Sequence, residues 1–500
     1  MKEYLEKKFQ LSSRGSNIKT EIFAGITTFL AMAYILVVNP NNILWGGTAD
    51  PRFSSVFIAT ALGASIGTLI MALIANMPLA QAPGMGLNAM VGSILGGSFG
   101  FAFSYGNAMS LVLLSGVFFL LISYLPGGKD PTTGKRVSMR ETMFDALPKP
   151  IRDSISVGIG LFITFIGLQN AHLITSNEFT LVQLVSFNDP KAWVSGGDAC
   201  CAIVCLFGLM VIGVLSHYKV RGSVIYGILS ATLLAIPLGV ADLSILSGNV
   251  PGITWDFGNS LKEFFLSAKG EPVFLSIFKG GFSFPVGSFF TCLMLVISFS
   301  MIDMFDSIGT IVGCCSSAKL MDDNGKPHDF GKIMSADSLS SIVGAFIGTS
   351  TVTTFVESGT GVSVGGRTGI TSIVTAILFF LSIFILPIFA FIPTSAAACA
   401  LIYVGVLMIA QIKKVDFTHI KYSIPAFLTI VMMILTYSIT SGIGLGVITF
   451  VILDLCIYVV DFFRFVNHDF KGKVPKLEIN WVTFIVFLLF LIYFFVPMGI

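Results

Sequence analysis

Apolar runs long enough to cross a bilayer recur along almost the whole chain, and no other feature restricts its fold as much. A spanning helix needs about 20 predominantly apolar residues. Candidate runs fall at roughly 22–45, 53–75, 80–97, 104–124, 151–171, 198–217 and 222–242. After a polar stretch, a second group falls at roughly 288–316, 335–350, 351–367, 370–391, 395–412, 418–438 and 441–464. Charged residues make up 11% of the 500 residues, against about 25% in a soluble domain. The expectation is an all-α polytopic membrane protein of fourteen transmembrane segments. The first run is longer than the apolar core of a signal peptide and lacks its cleavage pattern, so it is read as a spanning helix.

The basic residues orient these segments. With the N-terminus in the cytoplasm, every Lys and Arg except Arg52, Lys191, Lys262, Lys269 and Lys279 falls on a cytoplasmic segment. That is the bias of the positive-inside rule, and one missed crossing would scramble it. The formal net charge of +2 leaves no basic surface for nucleic acid. The division that follows is a cytoplasmic N-terminus at 1–21, a first set of seven at 22–242, an extracytoplasmic connection at 243–287 and a second set at 288–464. Residues 465–500 form a basic segment followed by a further hydrophobic stretch at 481–496. Either this stretch crosses, placing the C-terminus outside, or it lies along the bundle; crossing is the reading preferred here. The expected location is the inner or plasma membrane, with the lipid bilayer as solvent.

Two short members, the third of each set, are interrupted by glycine. Pro83-Gly84-Met85-Gly86-Leu87-Asn88 and Ser358-Gly359-Thr360-Gly361-Val362-Ser363 share the order small, Gly, any, Gly, aliphatic, polar. Two sets of seven place equivalent halves in opposite orientations, the mark of an inverted-repeat secondary transporter, in which broken segments present their ends at the bilayer midplane. Glycine also serves simply to let helices pack closely, but its matched position in both sets favours the functional reading.

Acidic residues sit where they cost most. Glu357 lies at the join of a polar β-branched run and a glycine-rich run within 350–369. Non-helical backbone at membrane depth is tolerated only inside protein or along a cavity, and a carboxylate there is a functional candidate by default. Asp303 and Asp306, in S-M-I-D-M-F-D-S-I-G-T, are three apart and share one helix face. They either bond a neighbouring helix or line one cavity with Glu357, where clustered carboxylates would bind and release a proton. Such a cavity suits an uncharged heterocycle, since carboxylates accept from N–H donors and helix-end amides donate to ring nitrogens and carbonyls. The eight Cys lie in or beside apolar segments without a metal-binding or disulfide pattern, and are read as buried thiols. His172, His217, His328, His419 and His468 are scattered near segment ends, where solvation explains them. No cofactor is implied, and no nucleophile elbow, phosphate loop or metal cluster points to an enzyme.

The stretches Q-A-P-G-M-G-L-N-A (81–89), D-M-F-D-S-I-G-T (303–310) and E-S-G-T-G-V-S-V-G-G-R-T-G (357–369), with the opening run G-I-T-T-F-L-A-M-A-Y-I-L-V-V-N-P (25–40), resemble the signatures of nucleobase/ascorbate transporters. They are most similar to the AzgA-like branch, purine permeases for guanine, hypoxanthine and adenine. The resemblance implies proton symport of a purine nucleobase by a core domain moving against a gate domain, with short strands in segments 3 and 10. It implies that Glu357 holds the N–H edge of the purine, that Asp303 or Asp306 contacts the base or carries the proton, and that Asn88 shapes the pocket. Gly84, Ser358, Gly359 and Thr360 belong to the matched motifs. Phe355 offers a stacking face, although Phe is also common in lipid-facing and core packing. Thr28, like Thr27, is a weaker candidate, because Thr in a membrane helix often bonds its own backbone. A homodimer is compatible with this reading. The alternative is a sulfate-type anion carrier of the same architecture, which would want a cation or bare helix N-termini at the break.

Overall fold

A computed structural model describes residues 6, 8–44, 50–129, 136–138, 149–177, 179–218, 220, 222–247, 257–266, 272–321, 327–437, 439–467 and 476–495. The chain is mostly helical, and eight helices among the described residues are long and apolar enough to cross a membrane. They run Ile18–Ile43, Phe53–Ala75, Tyr105–Tyr124, Asp198–His217, Phe289–Ile308, Gly369–Ala390, Thr394–Lys413 and Ser441–Val466. Shorter apolar helices occupy Met85–Leu95, Ser223–Ala235, Ile420–Leu435 and Trp481–Ile492. The expectation of an all-α chain is relaxed by three short antiparallel strand pairs. Two of them, 126–129 with 136–138 and 174–177 with 181–184, form in the polar stretches between apolar runs. Asp322 and Asp323, in the loop between the eighth and ninth expected segments, and His468 lie outside the described residues.

The chain divides into two compact units, Met1–Leu120 with Ile163–Pro285 and Asp306–Val404, and Leu121–Phe162 with Val286–Phe305 and Gly405–Ile500. In the first, α1 (Ile18–Met32) and α2 (Ile35–Ile43) form one span interrupted at Ala33-Tyr34, and α3 (Phe53–Ile70) follows. Strand β1 (Gln81–Pro83) leads straight into α4 (Met85–Leu95). Helix α5 (Phe289–Ala318), which belongs to this unit from Asp306 onward, precedes α6 (Phe330–Ile347), β2 (Val352–Thr354), α7 (Ser358–Val364) and α8 (Gly369–Ser382). Helix α8 packs on α1 and α3, α6 packs on α3, and α7 packs on α1.

Strands β1 and β2 pair antiparallel, Gln81 with Thr354, Ala82 with Thr353 and Pro83 with Val352. All six residues are buried, and hydrogen bonds from Phe355 N to Ala80 O (3.0 Å) and Gly84 N to Thr351 O (3.0 Å) extend the ladder. Backbone donors with no water or lipid partner must be satisfied within the protein, and this pairing does so at the break in each segment. Two glycines make room for it. A Cβ on Gly67 of α3 would lie 2.7 Å from Val352 Cγ1, and one on Gly84 would lie 2.5 Å from Thr353 Cγ2.

Polar side chains buried around the ladder hold it in register. Gln81 Nε2 donates to Asp337 Oδ1 (3.0 Å), Ser340 Oγ donates to Gln81 Oε1 (2.6 Å), and Thr354 Oγ1 donates to Asp337 Oδ1 (2.9 Å). Thr68 Oγ1 accepts from Gln81 N (2.8 Å) and donates to Gln81 O (2.9 Å). Glu21, fully buried, accepts from Arg367 N (2.9 Å), Thr368 N (3.2 Å), Thr371 N (3.2 Å) and Thr371 Oγ1 (2.6 Å). It thereby caps the start of α8 from another helix, satisfying amides that have no partner within their own helix.

In the second unit, Ile420–Leu435 packs on Ile439–Asn467. Lys421 Nζ reaches Asp454 Oδ1 at 2.5 Å and Glu478 Oε1 at 3.2 Å. Seven of the eight cysteines are buried as free thiols, as the sequence implied, while Cys456 is exposed on Ile439–Asn467.

Candidate functional site

Glu357 follows β2 after a two-residue turn and immediately precedes α7. Its main-chain oxygen accepts from Thr360 N (2.9 Å) and Thr360 Oγ1 (2.7 Å), so the local chain turns into a helix and fixes the side chain's base. The carboxylate is buried, 6% exposed. Tyr34 Oη donates to its Oε1 at 2.6 Å, while Oε2 has no hydrogen-bond partner among the described residues. A buried carboxylate oxygen without a donor is costly, which makes this one a candidate acceptor for a ligand N–H.

Tyr34 reaches Glu357 from the two-residue turn between α1 and α2, where the backbone stays in the right-handed helical region. It is 2% exposed, and its hydroxyl also lies 3.7 Å from Met85 Sδ at the start of α4. The residue stands in the opening motif run, but sequence reasoning assigned it no role. Its signal is a lone phenol inside an apolar run, since a buried Tyr hydroxyl usually has a partner.

Asp306 is half-buried on α5 and lies within electrostatic reach of Glu357 and Asp337. The hydroxyls of its neighbour Ser307 and of Thr353 on β2 meet at 3.0 Å, which sets this part of α5 beside the ladder. Asp303, one turn earlier on the same helix, is buried at 1% exposure and belongs to the stretch grouped with the second unit. The first unit therefore brings Glu357, Asp306, Tyr34 and the starts of α4 and α7 together.

Other expected residues take supporting places. Asn88 is fully buried, donates to Pro83 O (3.2 Å) and accepts from Ser350 Oγ, so its amide ties the ends of the two strands. Ser358 Oγ accepts from Ala80 N (2.9 Å). Gly84 is the last extended residue before α4, where only a bare Cα fits against Thr353. Gly359 and Thr360 are half-buried at the start of α7. Phe355 is buried at 5% exposure beside the ladder. Thr28 Oγ1 donates to Ala24 O in its own helix (3.0 Å), and Thr27 does the same to Phe23 O (2.8 Å), the backbone bonding expected of Thr in a membrane helix.

Three buried carboxylates escaped sequence reasoning: Glu21, Asp337 and, in the second unit, Asp454. Asp337 stands inside the apolar segment 335–350, where any acid is a candidate by default. Its partners show it bracing the ladder.

Comparisons with known proteins agree on the type of molecule. A family model described as "Permease family" matches residues 19–445. The adenine permease AdeQ of Escherichia coli (strain K12) is 35% identical over 452 residues, 90% of this chain and 91% of that protein. The guanine/hypoxanthine permease PbuG of Bacillus subtilis (strain 168) is 34% identical over 493 residues, 97% of this chain and 99% of that protein. Among solved structures, the transmembrane domain of a cyanobacterium bicarbonate transporter, BicA, aligns over 85% of this chain and 97% of its own with a TM-score of 0.55 at 14% identity. At that identity the likeness is one of fold.

Proposed function

Given that the chain belongs to the permease family and is a multi-pass membrane transporter rather than an enzyme, we propose that it takes up purine nucleobases, guanine, hypoxanthine or adenine, by proton symport. The observation that carries the reading is the unequal environment of the Glu357 carboxylate. One oxygen is held by Tyr34 at 2.6 Å, and the other is buried without a protein donor among the described residues. A neutral purine offers N–H groups for that oxygen, together with ring nitrogens and a carbonyl or amine that amides at the start of α4 can address. An inorganic anion would be repelled by Glu357 and Asp306 together, which disfavours the sulfate-type alternative even though a bicarbonate transporter shares the fold.

In this mechanism Glu357 accepts from the purine, Tyr34 fixes its orientation, and Asp306 or Asp303 carries the coupled proton. Phe355, Ser358, Gly359, Thr360, Gly84 and Asn88 shape the pocket, with Thr28 behind them. Fourteen crossings in two inverted sets, at 22–242 and 288–464, with the N-terminus in the cytoplasm of a cell whose plasma or inner membrane holds the protein, complete the proposal. Core and gate domains would alternate access around the site.

The test is uptake of radiolabelled hypoxanthine and of sulfate by cells expressing the chain. Glu357→Gln, which preserves size but replaces one acceptor oxygen with an N–H donor group, is expected to abolish purine uptake while leaving the amount of protein in the membrane unchanged. Wild-type uptake by this variant removes Glu357 from the site. Accumulation of sulfate without purine reverses the choice of substrate.

A further inference from the structure

An open pocket of about 690 Å³ lies apart from the Glu357 site, lined by the N-terminal turn, the end of α5, the residues before α6 and the link between α7 and α8. Arg14, Lys319, Arg367 and His328 line it, with Ser13 and one carboxylate, Asp329. The two guanidinium groups are fixed by main-chain carbonyls. Arg14 Nη1 donates to Asn76 O (2.5 Å) and Arg367 O (3.2 Å), and Arg367 Nη1 donates to Val362 O (2.6 Å) and Gly366 O (2.7 Å). Asp329 is engaged by Lys332 at 3.0 Å. Lys319 and His328 form no ion pair among the described residues, and Lys319 is exposed.

The lining therefore carries an excess of positive charge, with its arginines already held in place. Burial pulls the Arg14 guanidinium below its ordinary pKa, while Asp329, Cys315 and Glu21 pull it up. A second anion in the cavity would relieve that desolvation. The volume is that of a small-molecule site and far exceeds a halide. Planar guanidinium forks and an ammonium are the groups that recognise phosphate oxygens.

We propose that this cavity binds the phosphate group of a phosphomonoester, held by Arg14, Arg367 and Lys319. The phosphate would join the end of α5, twelve residues beyond Asp306, to the link after α7, the helix that follows Glu357. It can belong to a soluble metabolite or to the head group of an anionic lipid.

The test uses the purified full chain. Inorganic phosphate and glycerol 3-phosphate are titrated calorimetrically against the protein in neutral detergent, and nanodiscs of phosphatidylcholine with or without phosphatidic acid provide the lipid arm. Lys319→Ala is the informative variant, because the side chain is exposed and its loss leaves the backbone-bonded arginines in place; Lys319→Glu reverses the charge. Saturable binding of the soluble phosphates, weakened tenfold or more by Lys319→Ala and lost in Lys319→Glu, supports a metabolite site. Enrichment of phosphatidic acid around the wild-type protein, reduced to the same extent by both variants, supports a lipid head group. Absence of saturable binding in either arm, or affinity unchanged in both variants, overturns the proposal. Because purine uptake is not the readout, failure here leaves the proposed transport function standing.

Discussion

Glu357 owes its chemistry to a phenol that comes from more than three hundred residues earlier in the chain. The Tyr34 hydroxyl occupies one carboxylate oxygen, so under the proposed function a ligand would meet a fixed acceptor rather than a rotating one. A hydrogen bond to a charged group contributes about 1.5–3 kcal/mol. Tyr34→Phe is therefore expected to raise the KM for purine uptake by roughly tenfold or more, with membrane levels unchanged, as measured by initial-rate uptake normalised to immunoblot. An unaltered KM would make the contact irrelevant to binding. Glu357 was legible in the sequence because a carboxylate among glycines between apolar runs has few structural uses. Tyr34 was not, because the turn at Ala33-Tyr34 leaves no mark in the apolar run A-M-A-Y-I-L-V. Asn88 was found by its motif, yet its amide is spent on Pro83 O and Ser350, a bond that spacing alone does not reveal.

At the scale of elements, the paired strands β1 and β2 position everything at the site. Their register rests on Gln81, whose side chain joins Asp337, Ser340 and Thr354. Replacing it leaves buried polar groups without their partner, at a cost of about 1–3 kcal/mol. Gln81→Ala is accordingly expected to lower the Tm of the protein in detergent and to reduce uptake without touching any ligand-facing group. A Tm equal to wild type would show that the ladder holds without this brace. The glycine motifs were read as matching breaks from order alone, and the breaks are there. The family resemblance implied short strands in these two segments but not their pairing with each other, and neither three-residue strand carries a period that a sequence pattern can reveal. Asp337 and Glu21 were overlooked for a related reason: each satisfies groups on a distant segment, and only the fold brings donor and acceptor together.

For the whole molecule, the apolar runs were legible because lipid exposure and burial demand the same residue type over a fixed length. Eight helices meet that length among the described residues. Of the shorter ones, Met85–Leu95, Ser223–Ala235 and Ile420–Leu435 fall on runs broken by strand, glycine or proline, where length alone does not count crossings. The distribution of basic residues predicts a cytoplasmic N-terminus. Ser12 is exposed, so Ser12→Cys should react with a membrane-impermeant maleimide in inside-out vesicles and stay unlabelled in intact cells; the reverse pattern inverts the topology. If a carboxylate carries the coupled proton, purine accumulation should collapse on adding a protonophore and should be faster at acidic external pH. Accumulation that persists with protonophore and depends on sodium would assign a different ion.

The ladder also bears on how such a chain is made. Gln81 and Thr354, which face each other across it, are 273 residues apart, so a ribosome must deliver most of the polypeptide before the first strand finds its partner. Until then, Gln81 keeps its main-chain bonds to Thr68, but its side chain lacks Asp337, Ser340 and Thr354, all of which lie in the second half of the chain. The pocket is a late product of biosynthesis, and a prematurely terminated chain ending before β2 would insert its early helices and yet bind nothing.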